Sequence, residues 1–548
     1  MVASRFCIAV FLLTSGSVTA SAQDVLDRTD PTQEEEVEER VEKQAENPSL
    51  ELPQNVDTQS DVQSEVIEAR AILLSGLRAM PADEFSDIIA AYAGRRLTNQ
   101  DLQQLLEAIA LRARSQGYIF ANAQIRPQAL ANGVLRVTVD EGVIDEISVQ
   151  GDDSPAIRSQ LRPLIGDEPV TLERLEHHIL LAEDLAGVRM RDPRYENIDG
   201  KGVLTVEAAH DPFDARIDLE NDGSQPIGPL RARIDLDFNG LLSSFDELDL
   251  IYATVPDAPE ELQYVLGRYS AIVDDFGTEV SITGSYSQTE PGAFLADRDI
   301  FGRSTRVALQ LRHPVRRSRT FSAWIDGEFE IRDLRQDRAD VIARHDRVVA
   351  LRSGLYMKGD LFGGDIRSRI TVSQGVDILN ATDEGDPLAS REDAPPDFTT
   401  LHGWFDWERS LSKSFELAIG GRGQLSSTPL LITEDLGLGG NQFLRGYDFN
   451  ERTGDFGVMG FAELRFDLDE PLGVARQLQA YTFIDGGVVD NLEGGRGSGS
   501  LASSGGGFRV EVTRDLDFQM ELAFPLTGPR FDTDDKSPRF NFGISHSF

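Results

Sequence analysis

The stretch LRARIDLDF at residues 230–238 decides the fold, because its side chains alternate between two chemical classes. The apolar positions are Leu230, Ala232, Ile234, Leu236 and Phe238, and the charged positions between them are Arg231, Arg233, Asp235 and Asp237. Successive side chains of a β-strand point to opposite faces, so one face is apolar and the other carries charges of both signs. A soluble sandwich also alternates, but its polar faces rarely hold several charges of both signs. A lipid-facing exterior and a hydrated lumen require this pattern.

The same alternation recurs from residue 213 to residue 548. It is seen at 278–286, 321–331, 365–373, 460–468, 508–512 and 515–524. Turn residues divide the region into about sixteen strands, an even number as bacterial barrels prefer. Longer polar gaps, expected as loops on one membrane face, lie at 287–303, 332–346, 379–398, 426–455 and 489–504. Backbone polar groups at membrane depth must all be paired, so the sequence predicts a closed transmembrane antiparallel β-barrel over 213–548.

The segment RFNFGISHSF at 539–548 is expected to be the closing strand. Phe540, Phe542, Ile544 and Phe548 fall on one face of it. A final strand that ends on an aromatic residue is typical of outer-membrane barrels. We therefore expect outer-membrane lipid and the barrel-assembly machinery as partners of this region.

Residues 61–210 follow a different pattern, in which strands and amphipathic helices come in the order β-α-α-β-β. Strands are predicted at 65–76, 118–126 and 133–141, with helices at 81–94 and 98–117 between them. The same order returns after 143, which indicates an internal repeat. The sequence thus predicts two α+β domains, at 61–142 and 143–210.

The first 60 residues are expected to carry a targeting signal and a linker. Arg5, the apolar run 6–13 and Ala20-Ser21-Ala22 are typical of a secretory signal peptide over 1–22. Cys7, the single cysteine, lies inside it, so no disulfide is expected afterwards. Residues 23–60 are acidic and polar, which is typical of a linker. Within them, 35–46 could form a solvated helix, and the alternative is a disordered tether.

Composition argues against several classes of function. A formal net charge of −40 is the opposite of the basic footprint that a nucleic-acid partner requires. His177 and His178 are adjacent on a predicted helix and point in different directions, so a metal chelate is not expected. Neither H-E-x-x-H nor G-x-S-x-G occurs. We expect no catalytic residue, no metal and no cofactor, and therefore no enzyme.

The segment LGLGGNQFLRGYDFNERTGDFG at 436–457 lies in the gap between the eleventh and twelfth predicted strands. A phosphate-binding glycine loop would need a helix after it, and none is predicted. The other candidate motif is FIDGG at 483–487, in which Asp485 would face the lumen. An unpaired carboxylate in a confined lumen is costly. Arg445 on an inward-folded loop is a natural bidentate partner for it.

Together these features resemble a known family. The two β-α-α-β-β units resemble POTRA domains, and GYIFANAQIRPQAL followed by GVLRVTVDEG is similar to a first-POTRA signature. The tetrad Leu444-Arg445-Gly446-Tyr447 resembles the (V/L)RG(F/Y) tip of the inward sixth extracellular loop in polypeptide-transporting barrels. FIDGG resembles their F-x-D-x-G strand motif, here Phe483, Asp485 and Gly487. Two POTRA units with sixteen strands resemble the two-partner secretion transporters of the ShlB/FhaC/HecB family.

The resemblance implies an outer-membrane transporter with its POTRA domains in the periplasm. Its partner would be a secreted exoprotein, held unfolded by the POTRA domains and threaded through the barrel. Arg445 and Asp485 would fix the loop in the lumen, Gly446 would allow a close turn, and Tyr447 would pack on the wall. Many family members begin with a plug helix, and 33–46 is the segment that could supply one. Two alternatives stay open, a barrel-assembly insertase of the same superfamily and a passive porin.

Overall fold

The computed structural model describes residues 66–126, 128, 133–221, 223–469, 473 and 475–548. The first N-terminal unit has the strands β1 (Val66–Ala69), β2 (Ala71–Ser75), β3 (Arg95–Thr98), β4 (Asn122–Gln124) and β5 (Val134–Asp140), with the helices α1 (Ser86–Tyr92) and α2 (Asn99–Ser115). Strand β5 is central, parallel to β2 and antiparallel to β4. Helix α2 begins in a capping box between Thr98 and Asp101, which satisfies its first N–H groups.

Two features of this unit differ from the prediction. Residues 65–76 were expected as one strand, but they form β1 and β2 in separate sheets. Strand β1 pairs with β3, a strand that the sequence did not predict. The short RRLT segment of β3 has no apolar alternation, so only its pairing partner makes it a strand. The predicted strand at 118–126 is reduced to β4, Asn122–Gln124.

The second unit repeats the arrangement. It comprises β6 (Glu146–Gly151), α3 (Pro155–Leu161), α4 (Leu172–Glu183), β7 (Val188–Ile198) and β8 (Lys201–His210), with β8 central in its sheet. Side-chain hydroxyls cap both helices, Ser154 on α3 and Thr171 on α4. Its apolar core includes Phe120 of the first unit, which stacks on Tyr195 at 4.8 Å between ring centroids. No helix among the described residues is long and apolar enough to cross a membrane.

The remaining chain forms a closed antiparallel barrel of sixteen strands. Its strands are β9 (Phe213–Glu220), β10 (Arg231–Asn239), β11 (Asp246–Thr254), β12 (Gln263–Ile272), β13 (Glu279–Thr289), β14 (Ile300–Arg316), β15 (Phe321–Arg338), β16 (Val341–Leu361), β17 (Gly364–Gly375), β18 (Thr399–Ser410), β19 (Phe415–Ser426), β22 (Phe456–Asp469), β23 (Gln477–Asp490), β24 (Gly499–Glu511), β25 (Leu516–Pro525) and β26 (Arg539–Ser547). The short strands β20 (Leu436–Leu438) and β21 (Arg452–Gly454) lie in the loop before β22. Closure is made by β26 on β9, so every strand has two neighbours and no edge is left.

The two faces of the wall carry the chemistry that the alternation predicts. Ile282 and Leu309 are neighbours across β13 and β14, and both side chains point outward and are more than half exposed. On the inner face, Arg306 and Glu330 are buried and joined by a 2.9 Å hydrogen bond. The exterior is therefore apolar, and the interior holds charges that neutralise each other in pairs.

The wall is uneven in height. Strands β14, β15 and β16 have 17, 18 and 21 residues, whereas β9, β10 and β11 have 8, 9 and 9. The gap predicted at 332–346 is therefore wrong: these residues extend β15 and β16, which turn at Ala339 and Asp340. Beyond the hydrocarbon neither face needs apolar residues, so the strand loses the signal by which it is detected.

Helix α4 of the second unit rests on the turn between β14 and β15. Arg317 of that turn donates two hydrogen bonds to Asp184, at 2.6 and 2.7 Å, and Arg319 donates to Glu176 at 2.7 Å. Helix α3 contacts the next turn along, where Gln160 donates to the Asp274 carbonyl at 2.9 Å. These contacts place the second unit at the end of the barrel where the turns are tight.

Candidate functional site: the inward loop and its lock

The loop between β19 and β22 folds into the barrel lumen and brings its own small core. The strands β20 and β21 form a hairpin, which packs on the inner wall. Apolar side chains from loop and wall make one buried cluster of Leu436, Leu438, Phe443, Leu444, Tyr447, Met459, Val489 and Leu501. Such a cluster removes apolar surface from water inside a polar channel, so the loop is held there by burial as well as by charge.

A carboxylate secures the root of the loop. Asp455 is fully buried and accepts the backbone N–H groups of Leu430 and Leu492, each at 2.7 Å. Arg391, from the loop between β17 and β18, donates to both oxygens of the same carboxylate, at 2.8 and 2.7 Å. Three separate segments therefore converge on Asp455, and charge-assisted hydrogen bonds of this kind are the stronger ones.

The tip adopts a conformation that only some residues tolerate. Leu444 has a φ of 60°, a left-handed conformation that is unusual for a leucine. Gly446 follows against the wall, where an added Cβ would lie 2.9 Å from the Cβ of Ser503 and 3.1 Å from the backbone nitrogen of Pro525. Its N–H donates to the Ser503 hydroxyl at 3.1 Å. Position 446 therefore has no room for a side chain.

Arg445 lies between these two residues, and its side chain is 6% exposed. One guanidinium nitrogen donates to Glu463 of β22 at 2.8 Å and to Glu521 of β25 at 3.1 Å. The guanidinium carbon lies 3.5 Å from the ring centroid of Phe483 on β23. A single cation therefore ties the loop to three strands through two carboxylates and one aromatic face.

Asp485 acts on the same tip in a different way from the one predicted. Its carboxylate accepts the backbone N–H of Arg445 at 3.1 Å and the hydroxyl of Ser503. The guanidinium Nε lies 3.6 Å from it, an ion pair without the predicted bidentate hydrogen bonds. The bidentate geometry was therefore wrong, because the fork is directed toward Glu463 and Glu521.

The other predicted tip residues lie in the same place. Tyr447 is fully buried, and its hydroxyl lies 3.1 Å from that of Thr527 and donates to the Gly528 carbonyl at 3.2 Å. An added Cβ at Gly487 would lie 2.8 Å from Met459 and 3.2 Å from Leu444. The structure thus brings together Arg445, Gly446, Tyr447, Phe483, Asp485 and Gly487.

Sequence reasoning missed the two glutamates and the arginines behind them. Glu463 also accepts from Arg465 at 2.7 Å and from Arg509 at 2.9 Å. Glu521 also accepts the Tyr481 hydroxyl at 3.0 Å. The alternation in β22 and β25 marks both glutamates as lumenal, but many other acids share that property. Only the curvature of the wall, which bends four consecutive strands inward, brings β22 and β25 to one cation.

The lumen beside the tip is not filled. A polar cavity of about 540 Å³ lies there, lined by side chains that include Arg216, Gln442, Gln479, Arg509 and Gln519. Gln442 belongs to the loop itself, three residues before Arg445. Space for water therefore adjoins the locked tip.

The predicted closing-strand residues lie in and next to β26. Phe540 is 52% exposed on the outer face, and Phe542 and Ile544 are partly exposed beside it. Phe548 follows the last residue of β26, and its N–H donates to the carbonyl of Ala215 at 2.9 Å. These side chains form part of the apolar exterior at the seam.

Two titratable groups in α4, outside the barrel, have shifted pKa values. Burial raises the pKa of the Glu183 carboxyl to about 7, although its Oε1 accepts the Met190 N–H at 3.3 Å. Burial, with a smaller contribution from His177, lowers the pKa of His178 to about 4. Both groups are therefore biased toward their neutral forms in the folded protein.

Comparison with known proteins gives a consistent result. The family model of the haemolysin secretion/activation protein ShlB/FhaC/HecB matches residues 201–510, and that of the ShlB-type POTRA domain matches residues 67–142. The heme/hemopexin transporter protein HuxB of Haemophilus influenzae (strain 86-028NP) is 23% identical over 384 residues, covering 68% of this chain and 67% of HuxB. The outer membrane transporter CdiB of Dickeya dadantii is 23% identical over 462 residues, covering 81% of this chain and 80% of CdiB.

Solved structures share the fold. CdiB from Escherichia coli superposes with a TM-score of 0.73 at 20% identity, covering 96% of this chain and all of that one. CdiB from Acinetobacter baumannii gives a TM-score of 0.65 at 16% identity, again over 96% of this chain. At these identities the likeness concerns the fold, two N-terminal units followed by the sixteen-stranded barrel.

Proposed function

The chain belongs to the haemolysin secretion/activation family ShlB/FhaC/HecB, and from this membership we propose that it recognises one unfolded exoprotein in the periplasm and passes it to the cell surface. It is an outer-membrane transporter of the two-partner secretion type, with its POTRA domains in the periplasm. The exoprotein would enter between the POTRA domains and the barrel, thread through the lumen and fold outside.

The observation that carries this proposal is the loop lock. The tip lies inside the lumen and is held by Arg445 on three strands of one wall, so it narrows the path that a translocated chain would take. Its bonds are polar and adjoin a cavity that can hold water. Carboxylates and a guanidinium that separate there can be rehydrated, which lowers the cost of moving the loop.

Recognition would use the free sheet edges of the POTRA domains. Strands β2 and β4 border the three-stranded sheet of the first domain, and β6 and β7 border that of the second. An extended peptide can add to such an edge through main-chain hydrogen bonds, with side-chain pockets giving selectivity. On β2, Leu73 is 50% exposed and offers an apolar contact beside the edge.

The test is secretion of a defined partner. The chain is co-expressed with the product of a neighbouring gene for a large secreted protein, and that product is measured on the cell surface and in the medium. We expect export only when the transporter is present, and no export of an unrelated exoprotein with its own signal peptide. Equal export of both proteins would contradict selective recognition.

The same cells separate this function from that of an insertase. The heat-modifiable migration of other outer-membrane barrels reports their assembly. If the proposal holds, their assembly is unchanged when this chain is deleted. A general assembly defect on deletion would instead assign the chain to barrel insertion.

A further inference from the structure

The lumen wall at the POTRA end carries a patch of aromatic and arginine side chains that the loop lock does not use. Its members come from five consecutive strands and are defined as Arg312 (β14), Trp324 (β15), Tyr356 (β16), Arg367 (β17) and Trp404 (β18). The three rings follow each other around the wall, with 5.3 Å between the centroids of Trp324 and Tyr356 and 6.1 Å between those of Tyr356 and Trp404. We call this set the aromatic-arginine patch.

The guanidinium of Arg312 lies over the first two rings, 5.0 Å from the Trp324 centroid and 5.5 Å from that of Tyr356. Contact with a ring face holds a guanidinium in place and uses none of its N–H donors. The Nε of Arg312 is buried and donates to no atom in the described part of the chain. The patch therefore contains a positioned cation with spare hydrogen-bonding capacity.

The charge balance of the chain makes these cations unusual. The sequence has 93 acidic and 53 basic residues, so partners for arginines are abundant. Neighbouring lumenal arginines are bonded to acidic residues; Arg369, for example, donates to Asp326 at 2.6 Å. Within the described ranges, however, neither Arg312 nor Arg367 has a carboxylate within ion-pair distance. The acid that faces Arg367 across the sheet is Asp406 of β18. Two guanidiniums without a direct carboxylate hydrogen bond on one wall fit a ligand that brings its own carboxylates.

The patch is continuous with the contact between barrel and POTRA domain. Arg317, which donates to Asp184 just after the end of α4, also lies over Trp324, 4.6 Å from the ring centroid. A chain released from the second POTRA domain would meet this wall on entering the barrel. We propose that the aromatic-arginine patch is the entry site of the translocation path, where the lumen binds acidic stretches of an extended polypeptide. This inference rests on the proposed function, to which it adds the place and the chemistry of first contact.

Intrinsic fluorescence can report on the patch, because the chain has 3 tryptophans and two of them belong to it. In a Trp407→Phe background of the full chain in detergent micelles, Trp324 and Trp404 are the fluorophores. The probe is a short synthetic peptide of Asp, Gly and Ser with one bromophenylalanine as quencher. A matched peptide has Lys in place of Asp.

We expect saturable quenching by the Asp peptide and none by the Lys peptide. Arg312→Gln with Arg367→Gln should raise the half-saturating concentration about tenfold or more, since each lost charge-assisted bond costs affinity. Arg312→Lys with Arg367→Lys keeps the charge and should fall between the two. The matched control is Arg233→Gln, which removes a lumenal arginine on the opposite wall that is paired with Asp235 at 2.8 Å; it should bind as the parent does.

Equal half-saturation in the parent and the double Gln variant, or equal quenching by both peptides, would overturn the entry site. Heat-modifiable migration verifies that each variant is a folded barrel. The outcome is separable from that of the proposed function, because the peptide assay uses purified protein and no exoprotein. Export of the partner with unchanged peptide binding in the double Gln variant would refute the patch and leave the transporter function intact. Loss of selective export together with the expected peptide binding would refute the transporter function and leave the entry site supported.

Discussion

The backbone N–H of Arg445 donates to the carboxylate of Asp485 at 3.1 Å, while the side chain of the same arginine reaches past it to Glu463 and Glu521. Asp485 therefore sets the position of the main chain at the tip, and the guanidinium fastens the tip to β22 and β25. Because the two contacts serve different parts of one residue, the variants at 445 and 485 are expected to differ in severity.

Arg445→Ala should reduce partner export strongly while the barrel remains folded. It removes the cation that Glu463 and Glu521 share. Because Glu463 keeps Arg465 and Arg509, we expect a loss below the roughly 3–5 kcal/mol that stranding a buried charge costs in a dry site. Arg445→Lys keeps the charge but loses the planar fork, so an intermediate export is expected. Export of the partner is measured for each variant, and heat-modifiable migration shows whether the barrel is folded. An unfolded barrel in Arg445→Ala would contradict the expectation that the barrel folds without the contacts of Arg445.

Asp485→Asn should be milder than Arg445→Ala. The amide oxygen can still accept the Arg445 N–H, and the nearest guanidinium contact that is weakened is the 3.6 Å ion pair. A double variant with Arg445→Ala should be little worse than Arg445→Ala alone, because both residues hold the same tip. Additive losses of export would show that the two act independently.

Gly446→Ala should displace the tip without removing any charge. The new Cβ would meet Ser503 and the backbone of Pro525 at about 3 Å, and overpacking of this kind commonly costs about 1–3 kcal/mol. The matched control is Gly494→Ala, where nothing lies within 4 Å of an added Cβ. Limited proteolysis of the loop in intact membranes should be faster in the first variant than in the second. Equal cleavage rates would mean that the tip is not tightly seated.

The position of Leu438, Arg445 and Asp485 shows what could be predicted from sequence and what could not. Alternation places a side chain on the inner or outer face of its strand, and that is enough to direct Asp485 into the lumen. Alternation does not say which strands face each other across the barrel, since that depends on the stagger of the closed sheet. Glu463 and Glu521 belong to strands separated by two others, so their meeting at Arg445 had no local signal. The buried cluster around Leu438 had none either, because a loop with its own core resembles an ordinary polar loop.

Because of Glu183, the stability of the second POTRA domain should fall as the pH rises. Its folded pKa of about 7 lies above the usual value, so the folded state binds the proton more tightly than the unfolded state does. The contribution of Glu183 to stability is therefore full below its unfolded pKa and declines as the pH rises toward 7. Over the full shift this amounts to about 3 kcal/mol as an upper estimate.

Glu183→Gln should remove that decline, so the variant is more stable than the parent at pH 8 and similar to it at pH 4. His178 has the opposite sign, with its pKa at about 4, and destabilises the fold as the pH falls below 6.5. Hydrogen exchange of the α4 amides in the full chain, followed as a function of pH, measures the effects of Glu183 and His178 on stability. A parent chain whose α4 is equally protected at pH 5 and pH 8, with no gain in Glu183→Gln, would contradict the raised pKa.

The contact between Asp184 and Arg317 should set the angle between POTRA domain and barrel. Asp184→Asn or Arg317→Gln should broaden the distance distribution between spin labels at positions 168 and 412, and high salt should do the same. The exchange Asp184→Arg with Arg317→Asp should restore part of the narrow distribution. A distribution that is equally narrow in the parent and in both single variants would show that other contacts suffice.

The unequal strand lengths would determine what a polypeptide meets on leaving the barrel, if the chain translocates one as proposed. Crossing the hydrocarbon takes about 9–11 tilted residues. Strands β9 to β11, with 8 or 9 residues, lie at or just below this length, whereas β16, with 21 residues, has about twice as many. The additional residues lie at the end away from the POTRA domains. At that end the barrel wall is therefore taller at β14 to β16 than at β9 to β11. An emerging segment would be separated from the lipid headgroups by the tall strands on one side and would reach water over the short strands on the other. Its first folded turns would therefore form to one side of the pore rather than directly above it.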